Sequence, residues 1–197
     1  MYGRACFISL RKAKRVLASK DGWHRDHFKL DAVFASKVGA SKRQKDKGLF
    51  VDKDYQCHAI VHCQNEDRKP AIITAISGVL DWSGIWRSND NGGTWEQLTR
   101  GLPPGREFGR TSLATSKADP CVVYAFIGSA DGLCLGVYRT SDGGKHWSSH
   151  AGPGHFAACG RLNYTNCIVV HPDDPDLVVC GADDVHRSTD GGQTGRR

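Results

Sequence analysis

Several carboxylates in this sequence could do acid–base chemistry: Asp81, Glu96, Glu107, Asp119, Asp131, Asp173, Asp174, Asp176, Asp183 and Asp184. Cleaving a glycosidic bond takes two of them, about 5–10 Å apart across a cleft. Asp119 and Asp174 each precede a proline and read as turn residues. Glu96 follows a Gly-rich turn and reads as exposed. Asp81 and Asp131 lie in loops and occupy no common position. No pair emerges, and every catalytic position stays unassigned.

A second candidate is Cys57-His58-Ala59-Ile60-Val61-His62-Cys63. Cysteine and histidine are the usual zinc ligands. The β-branched content favours a strand instead, with His58 and His62 on one face and both cysteines on the other. A strand of that length holds the cysteines about 20 Å apart, too far for one ion. No metal and no cofactor is expected. The eight cysteines include Cys121 and Cys180 inside apolar runs, where a free thiol behaves as a small hydrophobe. Reduced thiols are favoured.

The elements that would position these residues show up as a repeat. Gly84–Trp95, Gly136–Trp147 and Asp184–Gly195 align, and their aspartates, Asp90, Asp142 and Asp190, are 52 and 48 residues apart. Upstream of each lies a proline followed by a β-rich run: Pro70 to Ala75, Pro120 to Ala125, Pro175 to Cys180. Ahead of each proline is another apolar stretch. Each unit therefore reads as four short strands. A fainter copy sits at 28–56, without the glycines. A period near 50 with four strands predicts an all-β chain, a β-propeller-like array of three to four four-stranded blades. A β-sandwich is the alternative. The array is expected to be incomplete, since three clear units meet or miss the minimum for a closed ring and Thr194 and Gly195 stop short of a fourth strand. An open arc that self-associates through its blade edges, or a truncated reading frame, follows from that expectation.

The repeated turn has a direct physical reading. Asp90, Asp142 and Asp190 can accept hydrogen bonds from turn N–H groups. Ser88, Thr140 and Ser188 add a hydroxyl. Gly92, Gly144 and Gly192 permit positive φ. Thr94 and Thr194 complete their turns, and Trp95 and Trp147 supply apolar mass that docks each turn on its own blade. Ser-x-Asp-x-Gly-x-Thr-Trp resembles the Asp-box, or BNR repeat. The first copy matches in full. The second has Thr140 for Ser and His146 for Thr, and the third has Gly195 where Trp belongs. The resemblance covers about residues 57–197.

Asp-box propellers include sialidases, xyloglucan-cleaving glycosidases, sortilin-type receptors and a photosystem assembly factor. The resemblance therefore implies the fold and a structural role for the turn residues, on the outer side of each blade. It does not imply one activity. A sialidase would need three clustered arginines and a tyrosine nucleophile with an acidic partner. Arg87, Arg139 and Arg187 hold one repeat position each and should be spread around the outside. Tyr164 has no identifiable acidic partner. The leading expectation is a non-catalytic scaffold that binds a protein or carbohydrate ligand through its loops. The alternative is a glycoside hydrolase of sialidase or xyloglucanase type, whole or as a fragment.

Composition sets the outer bounds. The chain has 197 residues, 39% hydrophobic and 24% charged, with 23 glycines. The glycine share exceeds an ordinary ~7% and points to many turns. The net charge of +6 is concentrated in residues 1–56, which carry 14 basic and 6 acidic residues. Residues 1–27 read as a basic extension and 28–197 as the repeat array. The extension lacks the interleaved aromatics of a single-strand binder, so nucleic acid is not the expected partner. No apolar run approaches the ~18 residues of a membrane span. No signal peptide is recognised, and a cytoplasmic compartment is favoured, with a mitochondrial presequence as the alternative.

Overall fold

The computed structural model describes residues 56–77, 80–92, 94–152 and 161–195. The basic extension 1–27 and, apart from Gln56, the faint unit at 28–56 lie outside the described residues. Three antiparallel sheets follow one another along the chain. Blade 1 holds β1 (Gln56–Gln64), β2 (Pro70–Ser77), β3 (Gly84–Ser88) and β4 (Glu96–Leu98). Blade 2 holds β5 (Phe108–Thr115), β6 (Val123–Ser129), β7 (Cys134–Thr140) and β8 (Ser148–Ala151). Blade 3 holds β9 (Cys167–Val170), β10 (Val178–Gly181) and β11 (Val185–Ser188), preceded by a single helical turn, α1 (Leu162–Thr165). Strands pair in chain order within each sheet. The protein is all-β, a β-propeller-like array of blades.

The three blades share one register. Ile73 faces Arg87, Tyr124 faces Arg139, and Val179 faces Arg187 across the second and third strands. Side chains close the turns that set it. Asn65 Oδ1 accepts the N–H groups of Asp67 and Lys69, both at 3.0 Å, and so ends β1. The Asp-Pro turns use the aspartate: Asp119 Oδ1 accepts Cys121 N–H at 3.3 Å and Asp174 Oδ1 accepts Asp176 N–H at 3.0 Å. These are Asx turns, in which a short carboxylate stands in for a backbone acceptor.

The core lies in the seams between blades. β5 packs against β1, β2 and β9, and β6 also meets β9. The first seam buries Ile73, Ala75, Ile85 and Leu98 against Val123, Ala125, Ile127 and Trp147. The second buries Tyr124, Phe126, Val137 and Ala151 against Leu162, Val178 and Cys180. β6 is the strand with a blade on each side, and its residues Val123 to Ile127 are wholly buried. Each large apolar side chain there contributes about 1.5–3 kcal/mol of burial.

Two expectations need correction. Trp95 does pack on its own blade, with Ile72, Ile76 and Trp86. Trp147 instead fills the seam, touching blade 1 as well as blade 2. Trp147 serves the contact with the preceding blade, because there its large ring meets two apolar surfaces. His58 and His62 do not share a face either. A β-bulge between Cys57 and Ala59 breaks the alternation of β1. His58 reaches Ser77 across the sheet, and His62 is exposed.

Candidate functional site

The repeated turns come first, because they hold the residues singled out by type and spacing. Ser88 Oγ donates to Asp90 Oδ1 at 2.9 Å and accepts Gly92 N–H at 2.7 Å. Asp90 accepts Thr94 N–H at 2.6 Å and Thr94 Oγ1–H at 2.8 Å. In the second turn Thr140 Oγ1 donates to Asp142 Oδ1 at 2.8 Å and accepts Gly144 N–H at 3.0 Å. His146 takes the threonine's place: its N–H donates to Asp142 Oδ1 at 2.9 Å, and its Nδ1 lies 2.7 Å from Oδ2. The third turn repeats the first, with Ser188 Oγ on Asp190 Oδ1 at 2.6 Å, Gly192 N–H on Ser188 Oγ at 2.9 Å and Thr194 N–H on Asp190 Oδ1 at 2.9 Å. The Ser188 and Thr194 hydroxyls hold the Asp190 carboxyl well below the usual range. Burial works against the charge on Asp142, but the bonds from His146 and Thr140 outweigh it and keep its carboxyl low too. A carboxylate held this firmly ionised accepts hydrogen bonds and is a poor proton donor.

The arginines are spread along the array, one to a blade. Arg87 is 7% exposed and bonds Glu96 at 2.7 Å, Glu66 at 2.8 Å and the carbonyl of Gly143, in the next blade's turn, at 3.0 Å. Arg139 donates to Tyr124 Oη at 3.0 Å and pairs with Asp176 of blade 3 at 3.4 Å. Tyr124 in turn donates to Pro175 O at 2.9 Å. Arg187 is exposed. Each of the first two arginines ties its blade to the next.

A different group of side chains meets at the end of the array where β1, β5 and β9 begin. His58 Nε2 and Ser77 Oγ are 2.5 Å apart. Burial, with the nearby charge of Arg110, pushes the His58 pKa down to about 4. Arg110 donates to Asn163 O at 3.2 Å. Buried Asn166 ties this end together by donating to the carbonyls of Arg110 and Phe126, each at 3.0 Å. At the neighbouring rim Asp81 pairs with Arg106 at 3.2 Å, both exposed, and Glu107 is exposed. A serine beside a histidine has the geometry of a nucleophile and its base. A histidine with a pKa near 4 is a weak base at neutral pH, so the pair is better suited to hydrogen bonding than to proton abstraction. Sequence reasoning missed this group. The bulge that turns His58 inward leaves no mark in the sequence pattern.

Among the described residues no cluster of three His, Cys, Asp or Glu side chains could hold a metal ion. Cys63, Cys121, Cys134, Cys167 and Cys180 are in no disulfide. Burial pushes the Cys63 thiol up to about 12, which makes it inert. No helix among the described residues is long and apolar enough to cross a membrane.

Fold and turns together define a propeller-like repeat protein. No protein-family model and no curated protein matches the sequence. Among solved structures the chain is similar to the GH74 xyloglucanase from Xanthomonas campestris, at 14% identity over 74% of this chain and 22% of that one, with a TM-score of 0.47. It is similar to YCF48 from Cyanidioschyzon merolae at 15% identity, covering 73% of this chain and 37% of that one, TM-score 0.42. It is also similar to a Hadza microbial sialidase at 17% identity, covering 73% of this chain and 30% of that one, TM-score 0.41. The chain thus spans well under half the length of each of these proteins.

Proposed function

We propose that the protein is a non-catalytic Asp-box repeat scaffold that holds a protein or glycan ligand at the end where β1, β5 and β9 begin. The observation that carries this reading is the employment of the carboxylates. Asp90, Asp142 and Asp190 are bound within their turns, Glu66 and Glu96 by Arg87, and Asp176 by Arg139. These are building roles in turns and seams. The array's end offers instead the groups that recognise polar ligands: the Arg110 cation, the His58–Ser77 pair and the Asn163 carbonyl of α1. Such groups suit hydroxyl and carboxylate recognition.

A panel of fluorogenic glycosides, including a sialoside, together with xyloglucan, tests the reading. No turnover is expected. Calorimetric titration with immobilisable acidic and neutral oligosaccharides is expected to show binding that Arg110→Ala weakens about tenfold or more. Turnover abolished by Asp81→Asn or Glu107→Gln would establish the hydrolase instead.

A further inference from the structure

Blade 1 buries an apolar surface on each side of its sheet, and blade 2 covers one of them. The other carries Ile72, Ile76, Trp86 and Trp95, which are between 1% and 8% exposed. Strand register gives the first three the positions of Val123, Ile127 and Tyr138, and Trp95 aligns with Trp147. In blade 2 this is the face turned toward the preceding blade, where Ile73, Ala75, Ile85 and Leu98 close over it. For blade 1 the described residues include no preceding blade. The apolar side chains that adjoin the face there, Ile60 and Trp82, belong to blade 1 itself. A sheet face with two indoles and two isoleucines is kept from water by a second apolar layer.

We propose that residues 28–55 of this chain are that layer, docked on blade 1 in the place that blade 1 takes on blade 2. The segment runs directly into Gln56, the first residue of β1, so its end is tethered to the blade it covers. Its 28 residues are enough for two or three short strands. Its apolar residues are grouped as a covering layer needs. Phe28, Leu30, Ala32 and Phe34 fall on one face of a strand, and Leu49, Phe50 and Val51 form a run that ends five residues before Gln56. The far end of the stack is the other place where such a layer could sit, and that face is open. Val185, at the position of Ile85 and Val137, is 67% exposed, and Val169 is 60% exposed. Water reaches the free face of blade 3 and is kept off the Trp86 face of blade 1, which assigns the segment to blade 1.

The test uses the full 197-residue chain with the photo-reactive p-benzoylphenylalanine in place of Phe50, and in a second variant in place of Phe34. Irradiation followed by peptide mass analysis is expected to give cross-links to the peptides that hold Ile72 to Ile76 or Trp86 to Trp95. An equal mixture of heavy- and light-isotope chains separates contact within a chain from contact between copies, and light–light and heavy–heavy products alone are expected. Cross-links from both positions to blade 3, no cross-link to blade 1 from either position, or joined heavy and light chains would overturn the proposal. The last result would give the face to a second copy. The unsubstituted chain supplies a measurement that depends on neither variant folding. In hydrogen exchange followed by mass, amides within 28–55 are expected to exchange at least about tenfold more slowly than those of 1–27. Equally fast exchange in the two segments would also overturn it.

Discussion

His58 stands between two protonation worlds. Its pKa falls from the ordinary 6.5 to about 4 because burial, and then the Arg110 charge, oppose the imidazolium. The unfolded chain therefore takes up this proton at a higher pH than the folded one. The contribution is fully present above about pH 6.5 and is lost as the pH falls through 6.5 toward 4. Chemical denaturation should show stability lower by about 2 kcal/mol at pH 5 than at pH 7.5 from this residue. The slope should be correspondingly shallower in His58→Gln. Burial lowers His150 in the same sense, so a part of the slope survives the substitution. Equal slopes for the two proteins would remove His58 from the account.

Strands and turns are the scale at which the sequence was most legible, and the reason is local chemistry. Ser88, Asp90, Gly92 and Thr94 make a complete set of bonds within seven residues, so type and spacing suffice to read them. The strands announce themselves by β-branched runs between prolines and glycines. The bulge at His58 and the placement of Trp147 in a seam depend on partners about 20 to 75 residues away, and no periodicity encodes them. Two glycines in equivalent turns separate the local demand from the distant one. Gly143 has φ +65° and Gly191 φ +73°, so alanine strains both backbones alike, by about 1–2 kcal/mol. A Cβ at Gly143 would also lie 2.2 Å from the Gln64 carbonyl of blade 1, whereas at Gly191 the nearest atom is a side-chain oxygen of Asp176 at 3.1 Å. Gly143→Ala should lose at least about 2 kcal/mol more than Gly191→Ala in urea melts, because overpacking against backbone adds its own penalty. Matching losses would mean that the turn does not sit against blade 1.

For the molecule as a whole, stability is graded along the stack, since each blade is held by its neighbours. β6 has an apolar seam on both sides and residues Val123 to Ile127 fully buried. Blade 3 exposes Val169 and Val185 at 60% and 67%. Hydrogen exchange should therefore be slowest in β6 and β2 and faster by about a hundredfold or more in β9 and β11. Uniform protection across the three sheets would argue for a single cooperative unit instead. The array itself was readable from the three aligned turns and the near-50 spacing. The polar end around Arg110 was not, because it is made where blades meet.

One property of those meetings bears on how such a chain can change over generations. Several of the bonds that cross from blade to blade are addressed to main-chain carbonyls. Gln64 N–H donates to Pro120 O at 3.0 Å, Ala118 N–H to Pro172 O at 2.9 Å, Arg87 to Gly143 O at 3.0 Å and Tyr124 to Pro175 O at 2.9 Å. A carbonyl is the one group that every substitution leaves in place. A neighbour can therefore exchange most of its side chains by mutation while its partner still finds the same acceptor. A unit copied in tandem within the gene would arrive already equipped to dock, and the copies could then drift apart in sequence, as Thr94, His146 and Thr194 have begun to do, without the stack coming undone.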